Sequence, residues 1–463
     1  MRLADVLEGL AIDELRGDPS AEITGVTHDS RQVGPGSLFC CIRGRVTDGH
    51  DHAPAAVAAG AVALLCERPL DLAAAEVVVA DARATMGPVA AAFHGHPSSA
   101  LEVVGVTGTN GKTTTTFLLQ AVLEGAGRST GVIGTLSGTR TTPEAPELQA
   151  RLAELRDEGR QAVAMEVSSH ALALDRVAGT RFRVAVFTNL SRDHLDFHDT
   201  MEDYFAAKAR LFDARYADAA VVNADDPRGQ LLADAASVPT RTYSLRDVED
   251  LVLGPASSTG TWRGHRLHVP LGGSFNVANA LAALTAAAEL GVDEATAVAG
   301  LATAPQVPGR FESVGRGQPF QVIVDYAHTP DGIEQVLRAA RAVTTGRVLV
   351  VVGAGGDRDW DKRPMMGEAA ARHADVVVVT SDNPRSEDPQ AIADAVVEGT
   401  AGHDDVRVEL DRRAAIELAL RAARPGDLVV VAGKGHESTQ TIGDRVLPFD
   451  DREVVREVLD SIT

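Results

Sequence analysis

The sequence predicts an α/β protein of three domains, and three observations carry that expectation. At 463 residues the chain exceeds what one core supports and suits about three domains of ordinary size. Apolar runs rich in valine and alanine alternate with helical stretches, the rhythm of parallel sheets covered by helices. One such run breaks into glycines and enters a helix at once, placing a phosphate-binding turn at the end of a buried strand.

The elements follow in chain order. Residues 1–98 form the first expected domain, with a strand at 37–42 and an alanine-rich helix at 55–59 for which Pro54 suits the first turn. His96, Pro97, Ser98 and Ser99 mark its boundary. Residues 99–306 form the second domain, where strands at 101–106, 162–167, 184–187 and 219–223 alternate with helices. The segment 304–310 carries two prolines and a glycine after a helical run and reads as a linker. Residues 307–463 repeat the rhythm, with strands at 321–324, 347–353, 375–380 and 427–432 and helices at 332–343 and 412–423. The glycines that begin at Gly353 do not complete G-x-G-x-x-G, because Arg358 holds the third place, so no dinucleotide site is predicted.

Charge and composition narrow the ligands. A formal net charge of -21 argues against a general nucleic-acid or anionic-membrane surface, so anionic ligands need local basic pockets. Cys40, Cys41 and Cys66 cannot all pair and lack metal-binding spacing, which suits small buried thiols in a reducing compartment. The amino terminus has no apolar signal core, and no unbroken apolar run reaches about 18 residues. A soluble, cytoplasmic protein without membrane insertion is expected.

The phosphate turn is the run from Val103 to Thr114, ending Gly108-Thr109-Asn110-Gly111-Lys112-Thr113-Thr114. Its glycines let backbone N–H groups turn toward phosphate oxygens, Lys112 brings a mobile positive charge, and the Thr113 hydroxyl can ligate magnesium. The G-x-x-x-x-G-K-[ST] pattern would place glycine at 106, where this chain has Val106. Two further polar loops follow strands. Glu166 ends an apolar run before Val167-Ser168-Ser169-His170, and Asn189-Leu190-Ser191-Arg192-Asp193-His194-Leu195-Asp196 follows the run at 184–187. Carboxylates and imidazoles at strand carboxyl ends are placed where open α/β sheets bind ligands and metals. Lys208 shares a helical face with Tyr204, Leu211 and Phe212, and a buried ammonium there is costly unless it is paired or neutralised. It either snorkels to water or is chemically modified, for instance as a carbamate formed with carbon dioxide.

These motifs together resemble those of MurE-type ligases, the UDP-N-acetylmuramoyl-tripeptide synthetases of peptidoglycan assembly. The resemblance is collinear over essentially the whole chain. It includes Asp29-Ser30-Arg31, Asp48-Gly49-His50, Phe275-Asn276-Val277-Ala278-Asn279, Pro308-Gly309-Arg310-Phe311-Glu312, Asp325-Tyr326-Ala327-His328-Thr329-Pro330 and Phe449-Asp450-Asp451-Arg452-Glu453. It implies a three-domain Mur ligase architecture with a central P-loop parallel-sheet ATPase domain and a C-terminal Rossmann-like domain.

The resemblance also implies roles. Gly108, Thr109, Asn110, Gly111, Lys112, Thr113 and Thr114 would bind ATP, joined by Asn276, Arg310 and Asp325. Thr113, Glu166, His194 and Lys208, the last as N6-carboxylysine, would hold Mg2+, and Lys112, Glu166, His194 and Lys208 would carry catalysis. His28, Ser30, Arg45, Val46 and Thr47 would contact the uridine nucleotide. Arg140, Thr141, Thr142, Ser168, Leu174 and Arg176 would contact the muramoyl dipeptide, although some relatives have asparagine in place of Arg140 and glutamine in place of Leu174. Asp382-Asn383-Pro384-Arg385, with Arg358, Gly433 and Glu437, would grip meso-diaminopimelate, since an arginine in a proline-rigidified loop can hold a carboxylate through two hydrogen bonds. Relatives often carry other residues where Trp360 and Asp361 stand. The implied reaction is ATP-dependent ligation of diaminopimelate to the UDP-muramoyl dipeptide through an acyl phosphate. Lysine or another diamino acid as the amine, a folate polyglutamylating enzyme, and an inactive nucleotide-binding homologue are the alternatives.

Overall fold

The phosphate-loop strand is Glu102–Thr107 in the computed structural model, which describes residues 1–44, 47–138 and 140–462. It lies inside a six-stranded sheet ordered Thr240–Tyr243, Ala217–Asn223, Phe182–Phe187, Glu102–Thr107, Ala162–Glu166 and Thr130–Ile133. Every pairing is parallel. The chain adds strands on one side of Glu102–Thr107 and then on the other, so this strand marks the switch in connection direction where such sheets open a ligand crevice. Both sheet faces are covered. Val104 and Val106 enter one core with Leu118, Leu281 and Trp262, while Val103 enters the opposite core with Phe182 and Phe212. Burial on both faces accounts for the nearly unbroken apolar runs.

Two strands of this sheet differ from expectation by their presence: Thr130–Ile133 and Thr240–Tyr243. The second is an edge strand of threonine, arginine and tyrosine with only Tyr243 buried, so it lacks an apolar run. An antiparallel meander of Val248–Leu253, Ser258–Trp262 and His265–Val269 follows. It closes the core beneath the helix Ser274–Glu289 with Trp262, Leu267 and Val269.

The amino-terminal sheet runs Glu14–Arg16, Ala75–Val78, Ala61–Cys66, Ser37–Cys40 and Gly25–Thr27, parallel except for the first strand. The helix expected at 55–59 is Ala53–Ala58, with proline in its first turn, and the three cysteines are free and buried. The carboxyl-terminal sheet is ordered Glu312–Ser313, Gln321–Asp325, Leu428–Ala432, Val348–Val352, Val376–Val379 and Val406–Val408, with only the first antiparallel. Helices Pro330–Val343 and Arg412–Ala422 cover opposite faces, as their separate cores record.

One buried ion pair organises this last unit. The Arg412 guanidinium holds Asp451, at the start of helix Asp451–Ile462, through bonds of 2.8 and 2.7 Å. It also donates to the carbonyls of Ser381 and Ala432 at 3.3 and 2.9 Å, tying together the ends of the two strands that flank Val348–Val352. Ahead of the sheet, the linker is drawn tight. The Phe311 N–H donates to Asp325 at 2.6 Å, and Gly309 has φ +63° with space for a Cβ denied by the His436 backbone nitrogen 2.1 Å away. Among the described residues, no helix is long and apolar enough to cross a membrane.

Candidate active site

The phosphate loop is shaped by two glycines. Gly108 (φ +151°) and Gly111 (φ +88°) lie in backbone regions that L side chains rarely adopt, and a Cβ would meet Thr188 Oγ1 at 1.9 Å or Asn279 Oδ1 at 2.3 Å. Gly111 caps the helix Lys112–Gly125, whose first turn therefore presents free backbone N–H groups to the loop. The Lys112 ammonium curls back to donate to the Gly108 and Thr109 carbonyls at 3.0 and 2.9 Å. Burial pushes its pKa below the usual lysine range, against the nearby Glu166 carboxylate.

Beside the loop lies a cavity of about 180 Å³ bordered by Lys112, Thr113, Thr141, Glu166, Asp193, His194 and Arg310. Glu166, 1 % exposed, accepts from the Thr113 hydroxyl at 3.0 Å and from the Thr135 N–H and hydroxyl at 2.7 and 3.2 Å. The sequence pointed to Glu166 and missed Thr135, which lies outside the expected motifs. His194 adopts φ +56° and stacks edge-on to His170 at 4.8 Å between ring centres. Burial pushes its imidazole down to about 4, the neutral form a metal ligand requires, although Asp193 acts against the shift. A carboxylate, a hydroxyl and a neutral imidazole around one cavity suit a hard divalent cation that keeps several other oxygen ligands.

Lys208 does not border that cavity. It is 1 % exposed, with its nitrogen 4.5 Å from the Tyr204 ring centre and donating to the Gly108 carbonyl at 2.9 Å. The snorkelling alternative is thereby excluded. Burial, with the Lys112 charge adding to it, drives the Lys208 pKa well below the lysine range. The expected set of Thr113, Glu166, His194 and Lys208 is thus divided, with three members on the cavity and Lys208 behind the loop carbonyl. Among the described residues no three His, Cys, Asp or Glu side chains form a metal cluster.

A second cavity, about 450 Å³, runs from Asn110 and Gly111 past Asn189, Tyr243, Phe275 and Asn279 to Arg338. Asn276 does not line this cavity. Its side chain is fully buried, donates to the Gly272 carbonyl at 2.8 Å and accepts from Asn279 at 3.2 Å, so Asn279, one turn on, faces the cavity instead. Arg310 and Asp325 join Asn279 on a smaller adjoining cavity. Arg310 donates to Thr113 Oγ1 at 3.2 Å and lies 4.4 Å from the Tyr326 ring centre, so the linker touches the phosphate loop directly. The Asp325 carboxylate is engaged by the Phe311 and Ala327 N–H groups at 2.6 and 2.7 Å.

The third cavity, about 240 Å³, is bordered by Arg358, Asp382, Asn383, Arg385, Gly433 and Glu437. Asp193, His194 and Tyr326 border both it and the phosphate cavity, so the two share a wall. Pro384 is absent from the lining, and its carbonyl instead packs against Gly356, where a Cβ would lie 1.9 Å away. Arg385 is fixed by its backbone: at φ +53° its N–H donates to Thr441 at 3.1 Å and its carbonyl accepts from Gly443 at 2.7 Å. Lys434, fully buried, bridges Asn383 and Glu437 at 3.1 and 2.9 Å. Burial raises the Asp382 carboxyl above the ordinary aspartate range despite nearby Arg412. Trp360 is 66 % exposed, its ring 5.3 Å from the Arg363 guanidinium, and Asp359 and Lys362 border the cavity in place of Trp360 and Asp361.

The remaining expected contacts are scattered. Thr142 donates to the Glu166 carbonyl at 2.9 Å and accepts from the Ser168 N–H at 3.0 Å, while Arg176 pairs with Glu144 at 2.8 Å. Thr141 borders the phosphate cavity, whereas Arg140 borders a separate one of about 190 Å³ and Leu174 ends the short helix Ser169–Ala173. His28, Ser30 and Thr47 line none of these cavities, with Ser30 opening a 3-10 turn capped by Asp29. Arg45 and Val46 lie outside the described residues.

Known proteins resemble this arrangement along the entire chain. Residues 22–101 match the Mur ligase family catalytic domain, 106–287 the Mur ligase middle domain, and 309–435 the Mur ligase glutamate ligase domain. UDP-N-acetylmuramoyl-L-alanyl-D-glutamate--2,6-diaminopimelate ligase of Streptomyces coelicolor is 49% identical over 96% of this chain and 93% of its own length. The protein of that name from Syntrophomonas wolfei is 46% identical over 99% of both. A solved structure of a UDP-N-acetylmuramoyl-L-alanyl-D-glutamate--2,6-diaminopimelate ligase superposes with a TM-score of 0.71 at 35% identity, covering 100% of this chain and 99% of that one.

Proposed function

The chain belongs to the Mur ligase family, and from that premise we propose that it joins meso-2,6-diaminopimelate to UDP-N-acetylmuramoyl-L-alanyl-D-glutamate at the expense of ATP, in the assembly of peptidoglycan precursors. The observation that carries this reading is the shared wall between a phosphate cavity and a cavity with two arginines. Diaminopimelate has two amino-acid ends. Arg358 and Arg385 hold the far carboxylate, Glu437 and Asp382 hold the far ammonium, and the near amine is left facing Asp193, His194, Tyr326 and His328.

The γ-carboxylate of the D-glutamyl residue attacks the terminal phosphorus of ATP, and the P–O bond to ADP breaks. The diaminopimelate amine then displaces phosphate from the acyl phosphate. Gly108 to Thr114 cradle the triphosphate, with Lys112 positioned to turn from its loop carbonyls to the transferring group and spread its charge. Asn279 and Asp325 border the space for the nucleoside, and Arg310 brings the linker onto Thr113, so docking of the third domain completes the site. We divide the chain at residues 98 and 306, between its three largest sheets.

Thr113, Glu166 and His194 would hold Mg2+, and their oxygen-rich donor set fits it. When bound, the ion neutralises charge on the phosphate oxygens. Burial disfavours the charged form of Lys208, and once its ammonium gives up a proton the free lone pair adds carbon dioxide, a second proton leaving as the carbamate forms. That anion would relieve the crowding of two amino groups on one carbonyl and add oxygen to the magnesium site. A cytoplasmic location is part of this proposal.

The test is phosphate release from ATP with the UDP-muramoyl dipeptide and either diaminopimelate or lysine. Release with diaminopimelate at least ten times faster is expected. Preference for lysine would refute the assigned amine, and no release with any amine would leave a nucleotide-binding homologue.

A further inference from the structure

Ligation to an amino acid requires a base, because the incoming amine arrives as an ammonium and has no lone pair until a proton leaves. The groups around the amino-acid cavity are mostly unsuited to that task. Arg358, Arg385 and Lys362 are cations, Glu437 is tied to Lys434 and Asn383, Asp382 is committed to the far ammonium, and His194 is assigned to the metal. Asp193, against its burial, is held below the ordinary aspartate range by His194, His328 and Lys362. His328 stands apart. It borders the amino-acid cavity on one side and the small nucleotide cavity with Arg310 and Asp325 on the other. Of the expected motif residues around it, none was given a role in proton transfer by the sequence.

Its position is fixed by both backbone and ring. Asp325 at the end of strand Gln321–Asp325 accepts from Ala327, and Thr329 caps helix Pro330–Val343 by accepting from the Gly332 N–H at 3.1 Å, so His328 sits on a pinned turn. His328 Nδ1 lies 2.9 Å from the Tyr326 carbonyl, an atom that can only accept, so Nδ1 carries the proton and Nε2 keeps its lone pair. The Tyr326 ring packs 4.6 Å from the imidazole.

Resting on the ligase reading above, we propose that His328 Nε2 is the general base that deprotonates the attacking amine. The R–NH3+ group gives one proton to Nε2 and becomes R–NH2, whose lone pair forms the C–N bond as the bond from acyl carbon to phosphate oxygen breaks. The second proton leaves nitrogen with the departing phosphate, and the imidazolium returns its proton to solvent. The surrounding charges suit the cycle. Burial lowers the imidazole pKa so that it begins neutral; Asp193 and Asp382 oppose this and stabilise the imidazolium, while Lys362 favours its proton loss.

The test compares two acceptors of the same acyl phosphate. Hydroxylamine is largely unprotonated at neutral pH and needs no base, whereas diaminopimelate does. His328→Asn, whose amide can keep the bond to the Tyr326 carbonyl, should slow diaminopimelate ligation about 100-fold or more, the scale of general-base catalysis, while changing hydroxamate formation by less than about threefold. Diaminopimelate ligation by the variant should also recover as pH rises. His328→Gln should behave alike. Equal losses with both acceptors, or no loss with diaminopimelate, would overturn the assignment. Failure of the unaltered protein to form either product would instead overturn the ligase reading, and the base with it.

Discussion

Lys208 and Lys112, 96 positions apart in the chain, donate to the same acceptor, the Gly108 carbonyl, at 2.9 and 3.0 Å. Two ammonium groups on one buried oxygen repel each other, and burial depresses both pKa values, Lys208 the more. Carbamylation of Lys208 resolves the conflict by turning one cation into an anion. Protein equilibrated with 13C-labelled carbon dioxide should show a carbamate carbon resonance that Lys208→Ala lacks. The variant should lose about 100-fold or more in ligase rate and regain part of it with a short carboxylic acid. Full activity in Lys208→Ala without added carbon dioxide or acid would remove the carbamate from the mechanism.

Arg385 should govern the choice of amine. Arg385→Lys keeps the charge but loses the planar fork, and a charge-assisted hydrogen bond is worth about 1.5–3 kcal/mol. Steady-state kinetics should show kcat/KM for diaminopimelate falling about 10- to 100-fold, with KM for ATP unchanged. Activity with lysine, which lacks the second carboxylate, should hardly move, so the selectivity ratio is the informative quantity.

His436 ties stability to pH. Burial, reinforced by Arg310, pushes its imidazole down to about 4, below the ordinary value of 6.5. The unfolded chain therefore binds more protons between those two values, and stability rises with pH across that window. The contribution is complete above pH 6.5 and is lost progressively as pH falls toward 4. It should amount to about 2 kcal/mol between pH 7.5 and 5. His194 adds a change of the same sign. Urea unfolding at the two pH values should give a lower midpoint in acid, and His436→Gln should narrow the gap.

The Arg412–Asp451 pair, with both side chains fully buried, should behave as a unit. Removing one partner strands a charge, so Arg412→Met should cost about 3–5 kcal/mol. Arg412→Met with Asp451→Leu should recover much of that loss. Calorimetric unfolding of the two variants checks the coupling, and additive losses would argue against it.

Much of this was legible in the sequence wherever local spacing carries the chemistry. Gly108 to Thr114 need only a strand, two glycines and a helix start, and Asp382 to Arg385 follow a run of four buried valines. Asn276 against Asn279 was not legible, because two asparagines three residues apart on one helix are distinguished by its rotation against the sheet. Asp193, Tyr326 and Lys362 escaped notice as neighbours, since three segments meet there only after the linker folds back. The Lys208 face was read correctly from its i-4, i+3 and i+4 partners. Its distance from the cavity depended on the Gly108 carbonyl, which periodicity does not position.

The linker has a consequence for protein engineering. Gly309 lies so close to His436 that a methyl group would collide with its backbone, while Arg310 reaches back to Thr113 and Phe311 is held by Asp325. A chimera that grafts the third domain of a relative onto this chain should therefore be joined before residue 304. A junction at 311 would separate a backbone from the recess moulded to it, and the hybrid would inherit a specificity pocket without the strap that seats it over the nucleotide.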